Sequence, residues 1–237
     1  MPSIFLPPEF FLSSEPVITG EKARYLSKVL RLRPGELITL FDGQGNRYGA
    51  ECIRFTSKEV FVRILDKTTA SVKPSFSLIL AQGMLKGQKM DFVIQKATEL
   101  GVNKIFPLTT ERTEVRTTAK HQRWKQIAQS ASEQCGRLQL PEIEPPMELK
   151  DFVEQYSSGI LFWEGQAGKP LKEVLKPLAH KEQLILLLGP EGGFSEVEVI
   201  MAKSHQYQTA SLGPRILRSE TASIAALSIV QYEVGDI

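Results

Sequence analysis

Hydrophobic and polar positions change rhythm about a quarter of the way along the chain. Residues 3–6 alternate as a short strand, residues 21–32 repeat with helical spacing, and strand-like runs follow at Leu37–Phe41, 48–55 and 60–65. This pattern predicts a small strand-rich domain. Residues 66–75 (Asp-Lys-Thr-Thr-Ala-Ser-Val-Lys-Pro-Ser) are polar and aperiodic, as a linker is, so the domains are expected at residues 1–70 and 74–237. From Phe76 onward, apolar runs at 76–81, 104–108, 160–163, 184–188 and 210–212 alternate with helical patterns at 90–100, 124–135, 171–175, 197–202 and 221–230. Continuous apolar strands between helices predict an α/β domain with a parallel sheet covered on both faces. Ser195 and Glu198 form a capping box that starts one of these helices. The apolar residues of 90–100 read as a core-facing helix. The final helix, 222–232, is apolar nearly all round and needs burial in the core or against a partner subunit.

Two glycine-punctuated turns carry the most chemical information. They are Leu186-Leu187-Leu188-Gly189-Pro190-Glu191-Gly192-Gly193-Phe194 and Leu212-Gly213-Pro214-Arg215-Ile216-Leu217-Arg218-Ser219-Glu220-Thr221-Ala222. Each follows an apolar strand and opens a helix, the position at which open α/β sheets bind ligands through backbone amides. Gly192 and Gly193 are read as permitting positive φ and close approach of a ligand to the backbone. A Walker loop requires Gly-Lys-Ser/Thr, whereas Gly193 is followed by Phe194-Ser195. The segment Gly43-Gln44-Gly45-Asn46-Arg47-Tyr48-Gly49 lacks Rossmann spacing and reads as a hairpin turn. What remains is an adenosyl-type ligand held mainly by backbone groups.

Composition limits the alternatives. The 237 residues carry a net charge of +2, so binding to nucleic acid must rest on local patches. Cys52 and Cys135 lack metal or redox spacing and read as small buried residues, and His121, His180 and His205 form no ligand motif, so no metal is expected. Without a signal core or a membrane-length apolar run, the expected setting is soluble, reducing and cytoplasmic. Arg24, Lys28 and Arg31 fall at helical spacing with Arg33 following, either a solvated face or a phosphate-contacting one. Arg215 and Arg218 flank the second turn beside apolar neighbours, where a guanidinium seeks an anionic partner.

The two turns resemble the cofactor-loop motifs of the RsmE family, 16S rRNA (uracil-N3)-methyltransferases of the SPOUT class. The likeness continues through Lys86-Gly87-Gln88-Lys89-Met90-Asp91, Gln95-Lys96-Ala97-Thr98-Glu99-Leu100-Gly101, Glu133-Gln134-Cys135-Gly136-Arg137 and Leu30-Arg31-Leu32-Arg33. It implies a trefoil-knotted parallel sheet preceded by a small PUA-like β-barrel domain, a homodimer, and S-adenosyl-L-methionine as cofactor. The cofactor residues it implies are Leu188, Gly189, Pro190, Glu191, Gly192 and Gly193, then Leu212, Gly213, Ile216, Leu217, Arg218, Thr221 and Ala222. A third loop, with Phe162, Trp163 and Glu164 inside residues 161–166, completes the pocket. Arg218 is the candidate for stabilising charge on the base and Glu220 a candidate proton acceptor, with solvent as the other. Arg24, Lys28, Arg31, Arg33, Lys86, Lys89, Arg112 and Arg137 are the candidate contacts to 16S rRNA in the small ribosomal subunit, which Arg116 and Arg123 could extend. Two other readings compete: a non-catalytic rRNA-binding or assembly protein on the same scaffold, and a phosphate-ligand enzyme using the helix opened by Ser195.

Overall fold

A computed structural model describes residues 2–69, 76–116, 118–164, 169–178 and 182–234. The chain divides into two compact units, Met1–Lys73 with Ser132–Leu140, and Pro74–Ala131 with Pro141–Ile237. Residues 70–75 of the expected linker lie outside the described residues, as do Gly165, Gln166 and His180.

The first unit is built on a five-stranded sheet of β1 (Ser3–Phe5), β2 (Val17–Thr19), β3 (Leu37–Phe41), β4 (Asn46–Phe55) and β5 (Glu59–Thr69), in the order β1-β3-β4-β5-β2. The turn from β3 to β4 is the expected hairpin. Asp42 makes it by accepting from the amides of Gln44 (2.8 Å) and Asn46 (3.1 Å), while Gly43 and Gly45 take φ of 75° and 96°. Strand β5 continues to Thr69, four residues into the segment read as linker, because it stays paired with β4. Ile18, Leu26, Ile38, Leu40, Ala50, Cys52 and Val60 fill the core. Burial, with Glu36 and Glu51 adding to it, pushes the Cys52 thiol up to about 11.

The helix of this unit is shorter than its periodicity predicts. It runs as α1 (Gly20–Arg24) into a single π turn, Tyr25–Val29, closed by Leu30 N–H on the Tyr25 carbonyl at 2.9 Å. Arg31 then takes φ of 55°, which ends the helix before Leu32. Ser132–Leu140 completes the unit: Glu133 Oε1 accepts from Phe5 N–H at 3.0 Å and pairs with Lys22, and Leu140 N–H reaches the Gly43 carbonyl at 3.0 Å. Cys135 is exposed in this segment, not buried as expected, because the helix that carries it turns its last residues outward.

The second unit is a parallel sheet with helices on both faces, as the alternation of runs predicts. Its strands are β6 (Ser77–Gly83), β7 (Lys104–Thr109), β8 (Glu142–Ile143), β9 (Met147–Glu148), β10 (Gly159–Phe162), β11 (Lys169–Pro170), β12 (Gln183–Leu188) and β13 (Tyr207–Ser211). The order is β11-β13-β10-β12-β6-β7-β8, with β9 also on β7, so β12 enters between β10 and β6. Such a reversal of strand order opens a crevice at the carboxyl ends of the strands. The helices are α2 (Lys89–Glu99), α3 (His121–Cys135), α4 (Leu149–Gln155), α5 (Leu171–Leu175), α6 (Glu196–Ser204) and α7 (Ser219–Val234). One core joins the sheet residues Leu78, Leu80, Leu186 and Ile160 to Val93, Trp124, Val174 and Leu227 of α2, α3, α5 and α7. The other joins Ile79, Phe106, Leu161 and Leu187 to Phe152 of α4 and Val199 of α6. Helix α7 buries Ser223, Ala226, Leu227, Val230 and Gln231 but leaves Ile229 and Tyr232 exposed.

Candidate active site

Three strand ends and the start of α7 enclose one cavity of about 510 Å³ within the second unit. Its first wall is the turn after β12. Gly193 has φ of 67° and its N–H closes the turn on the Pro190 carbonyl at 3.0 Å. A Cβ on Gly83, at the end of β6, would lie 2.5 Å from Pro190 N, so glycine there admits the turn against the strand. Ser195 then caps α6 as expected: its Oγ accepts from Glu198 N–H, and Glu198 Oε2 accepts from Ser195 N–H at 2.9 Å. The other Glu198 oxygen accepts from Glu111 N–H at 2.7 Å, which anchors the capping box to the loop after β7.

The second wall follows β13, where Gly213 takes φ of 113° and its N–H reaches Ser211 Oγ at 3.2 Å. Phe162, the last residue of β10, and Trp163 and Glu164 after it form the third. A buried polar node holds the first wall to α7. Gln82 Nε2 donates to the carbonyls of Gly83 (3.0 Å) and Gly189 (3.1 Å) and to Ser219 Oγ (3.2 Å), while Ser223 Oγ donates to Gln82 Oε1.

Of the expected cofactor residues, Phe162, Trp163, Glu164, Leu188, Gly189, Pro190, Glu191, Gly193, Leu212, Gly213, Ile216, Leu217, Arg218 and Ala222 line this cavity. Gly192 and Thr221 do not. Gly192 packs instead against Arg112, whose Cβ would be 3.0 Å from a side chain there, and it lacks the positive φ expected of it. Thr221 lies exposed on α7. Sequence reasoning missed the lining residues Lys89, Phe194, Ala210, Ser211, Pro214 and Ser219 and left Arg215 open, although most of them fall within the two quoted turns.

The ionisable groups sort into two sets. Glu191 accepts from Lys89 Nζ at 3.0 Å and from Lys86 N–H at 3.1 Å. Partial burial opposes its charge, but these bonds, with that from its own amide, prevail and hold the carboxyl below the usual carboxylate value. Lys86 also pairs with Glu114, Arg112 Nη1 donates to the Gly192 carbonyl at 2.9 Å, and Arg123 pairs with Asp91 at 2.9 Å. These cations thus also make contacts within the protein, which the bare charge pattern could not reveal. Arg137 belongs to the first unit. By contrast, the exposed Arg218 side chain has no acceptor among the described residues, and Glu220 Oε2 is buried without a hydrogen-bond partner. A buried acceptor left unmet costs about 1–3 kcal/mol.

An adenosyl-type ligand fits this donor set. The volume lies within the range of small-molecule sites, apolar side chains alternate with turn backbone, and Glu220, one of whose carboxylate oxygens is unmet, is among the lining residues. Among the described residues no cluster of His, Cys, Asp or Glu is arranged to hold a metal.

Comparison with known proteins defines the class. Residues 72–231 match the RNA methyltransferase domain, and residues 18–65 match the RNA methyltransferase PUA domain. The fold is accordingly the SPOUT-type, trefoil-knotted α/β architecture with a small PUA-like domain ahead of it. A relative from Buchnera aphidicola subsp. Schizaphis graminum, ribosomal RNA small subunit methyltransferase E, is 31% identical over 100% of this chain and 98% of its own length. The chain belongs to the ribosomal RNA small subunit methyltransferase E family. Two solved structures are similar throughout. A Legionella pneumophila methyltransferase in complex with the cofactor SAM is 36% identical, with a TM-score of 0.90 over 99% of this chain and 98% of that one. Ribosomal RNA small subunit methyltransferase E from Neisseria gonorrhoeae, bound to S-adenosyl methionine, is 33% identical, with a TM-score of 0.88 over 100% and 99%.

Proposed function

We propose that this chain transfers a methyl group from S-adenosyl-L-methionine to N3 of a uridine in the 16S rRNA of the small ribosomal subunit, acting in the cytoplasm as a homodimer. The observation that carries the reading is the three-walled cavity, in which the turns that would hold the cofactor meet an unpaired guanidinium and an unmet carboxylate oxygen. When bound, S-adenosylmethionine supplies a methyl group on a good leaving group. Uracil N3 carries a proton and lies on the pairing edge, so the base must be unpaired and the proton removed before N3 attacks. In this reading the Glu220 carboxylate, or solvent, receives that proton. Arg218 donates to the uracil oxygens as negative charge gathers on them, an interaction stronger in the transition state than in the ground state. Gly189, Gly193 and Gly213 keep side chains out of the way of the cofactor, and Phe162 and Leu188 exclude water behind it.

Residues 74–237 form the catalytic domain in this proposal, and residues 1–70 hold RNA through Arg24, Lys28, Arg31 and Arg33, all of them exposed. A second copy covers the apolar side of α7 at Ile229 and Tyr232. The test is incubation of the full-length protein with labelled S-adenosylmethionine and small ribosomal subunits, followed by mapping of the modified nucleotide. Label on N3 of a uridine is the expected result. Label on another atom or base, or none, overturns the reading.

A further inference from the structure

We propose that Tyr25, exposed on the π turn of the first unit, stacks on an unpaired RNA base, with Val29 extending the platform and Arg24, Lys28 and Arg31 holding the adjoining phosphates. The inference rests on the reading of this chain as an RNA methyltransferase and assigns to its small domain a contact with a base face.

Four observations converge on this segment. Tyr25 is 45% and Val29 65% exposed, four residues apart, while Ala23 and Leu26 on the opposite side are buried. The Tyr25 ring meets no other aromatic ring, and its hydroxyl has no hydrogen-bond partner among the described residues. Around it, residues 20–33 hold five cations against one carboxylate, Glu21. Lys22 is the cation turned inward, toward Glu133 and the Phe5 carbonyl. Arg24, Lys28 and Arg31 are exposed and join no ion pair among the described residues. Finally, the helix is locally widened at this position and is cut off by the left-handed backbone of Arg31. π turns of this kind occur frequently at functional sites.

The occupant follows from the chemistry. Cations flanking an aromatic face match a polyanion with planar bases, in charge and in shape. A single-stranded segment satisfies both at once. Duplex RNA does not, because its bases are stacked on one another and closed to the ring.

The test measures binding of a fluorescein-labelled unstructured RNA of twelve nucleotides to the full-length protein at several salt concentrations. Tyr25→Ala is expected to weaken binding on the order of tenfold, while the slope of log affinity against log salt stays unchanged because no phosphate contact is lost. Tyr25→Phe keeps the ring and is expected to bind as wild type. Lys28→Ala is expected to reduce the slope by about 0.7, the value for one phosphate of a single strand. Wild-type affinity in Tyr25→Ala overturns the proposal. So does equal loss in Tyr25→Phe, which would assign the contact to the hydroxyl, or a changed sedimentation coefficient in Tyr25→Ala, which would assign the face to a protein interface. The functional reading fails separately, if the wild-type protein methylates no ribosomal subunit while the ranking of these variants on RNA stands.

Discussion

Gln82 Nε2 and Ser219 Oγ lie 3.2 Å apart across 137 residues of sequence, and the same amide also reaches the Gly189 carbonyl at 3.1 Å. One fully buried side chain thus ties the turn after β12 to the first residue of α7, next to Arg218 and Glu220. The first wall of the cavity and the segment carrying Arg218 and Glu220 are thus joined through one buried amide.

Replacing Gln82 by Leu removes that node with only a small change in side-chain volume. Ser219 and Ser223 then lose buried partners, a loss of about 1–3 kcal/mol each at most. The expected outcome is a melting temperature lower by several degrees and a cofactor affinity lower by tenfold or more, with RNA affinity retained. Differential scanning fluorimetry and titration calorimetry check it, and unchanged cofactor affinity would confine Gln82 to a packing role.

Arg218→Ala is expected to lower the single-turnover methylation rate on the order of a hundredfold or more while cofactor and RNA binding change little. Lys at this position should restore only part of the rate, because an ammonium keeps the charge and loses the planar fork. A normal rate with weakened binding would make Arg218 a positioning residue.

Glu191 predicts an acid-side signature. Its carboxyl is held below the ordinary value of 4.5, so its bonds to Lys89 and Lys86 stabilise the fold above that pH and are lost as pH falls through the lower folded value. Melting curves of the wild type and of Glu191→Gln should therefore differ at pH 7 and converge below about pH 4.5, where the unfolded carboxyl protonates. Curves that stay parallel down to pH 3 would refute the assignment.

Ile229→Asp places a charge on the exposed apolar side of α7, away from the buried Ala226 and Val230. If a second copy covers that side, burying an unpaired carboxylate there should convert the dimer to a monomer with little change in melting of the isolated chain. Sedimentation velocity at micromolar concentration decides it. A variant that sediments as wild type would move the interface elsewhere.

The parts of the site that sequence exposes are those with local causes. Gly193 needs a left-handed backbone, Ser195 and Glu198 cap one another within three residues, and both therefore leave a signature in a short window. Gln82 leaves none. It is a single polar residue at the end of an apolar strand, and its acceptors are set by the entry of β12 between β10 and β6. Charge is equally ambiguous: Lys86, Lys89 and Arg112 read as a nucleic-acid face, and only the fold shows that Glu114, Glu191 and the Gly192 carbonyl also engage them. Helix α4, seven residues behind a Pro-Pro step, is too short for periodicity to declare, and the stop at Arg31 depends on a backbone angle that no residue type demanded.

The discontinuity of the first unit sets an order of events on the ribosome. Phe5, Lys22, Gly43 and Gly45 emerge with the first third of the chain, yet their partners Glu133, Leu138 and Leu140 come much later. At ordinary elongation rates the interval is roughly five to twenty-five seconds, long compared with the folding of a small sheet. The nascent five-stranded sheet therefore waits with one edge unfinished, and its last contacts form only after β7 and most of α3 have been made. Protease cleavage of the mature chain near residue 73 would accordingly split the first unit, leaving its Ser132–Leu140 segment on the fragment that carries the whole second unit.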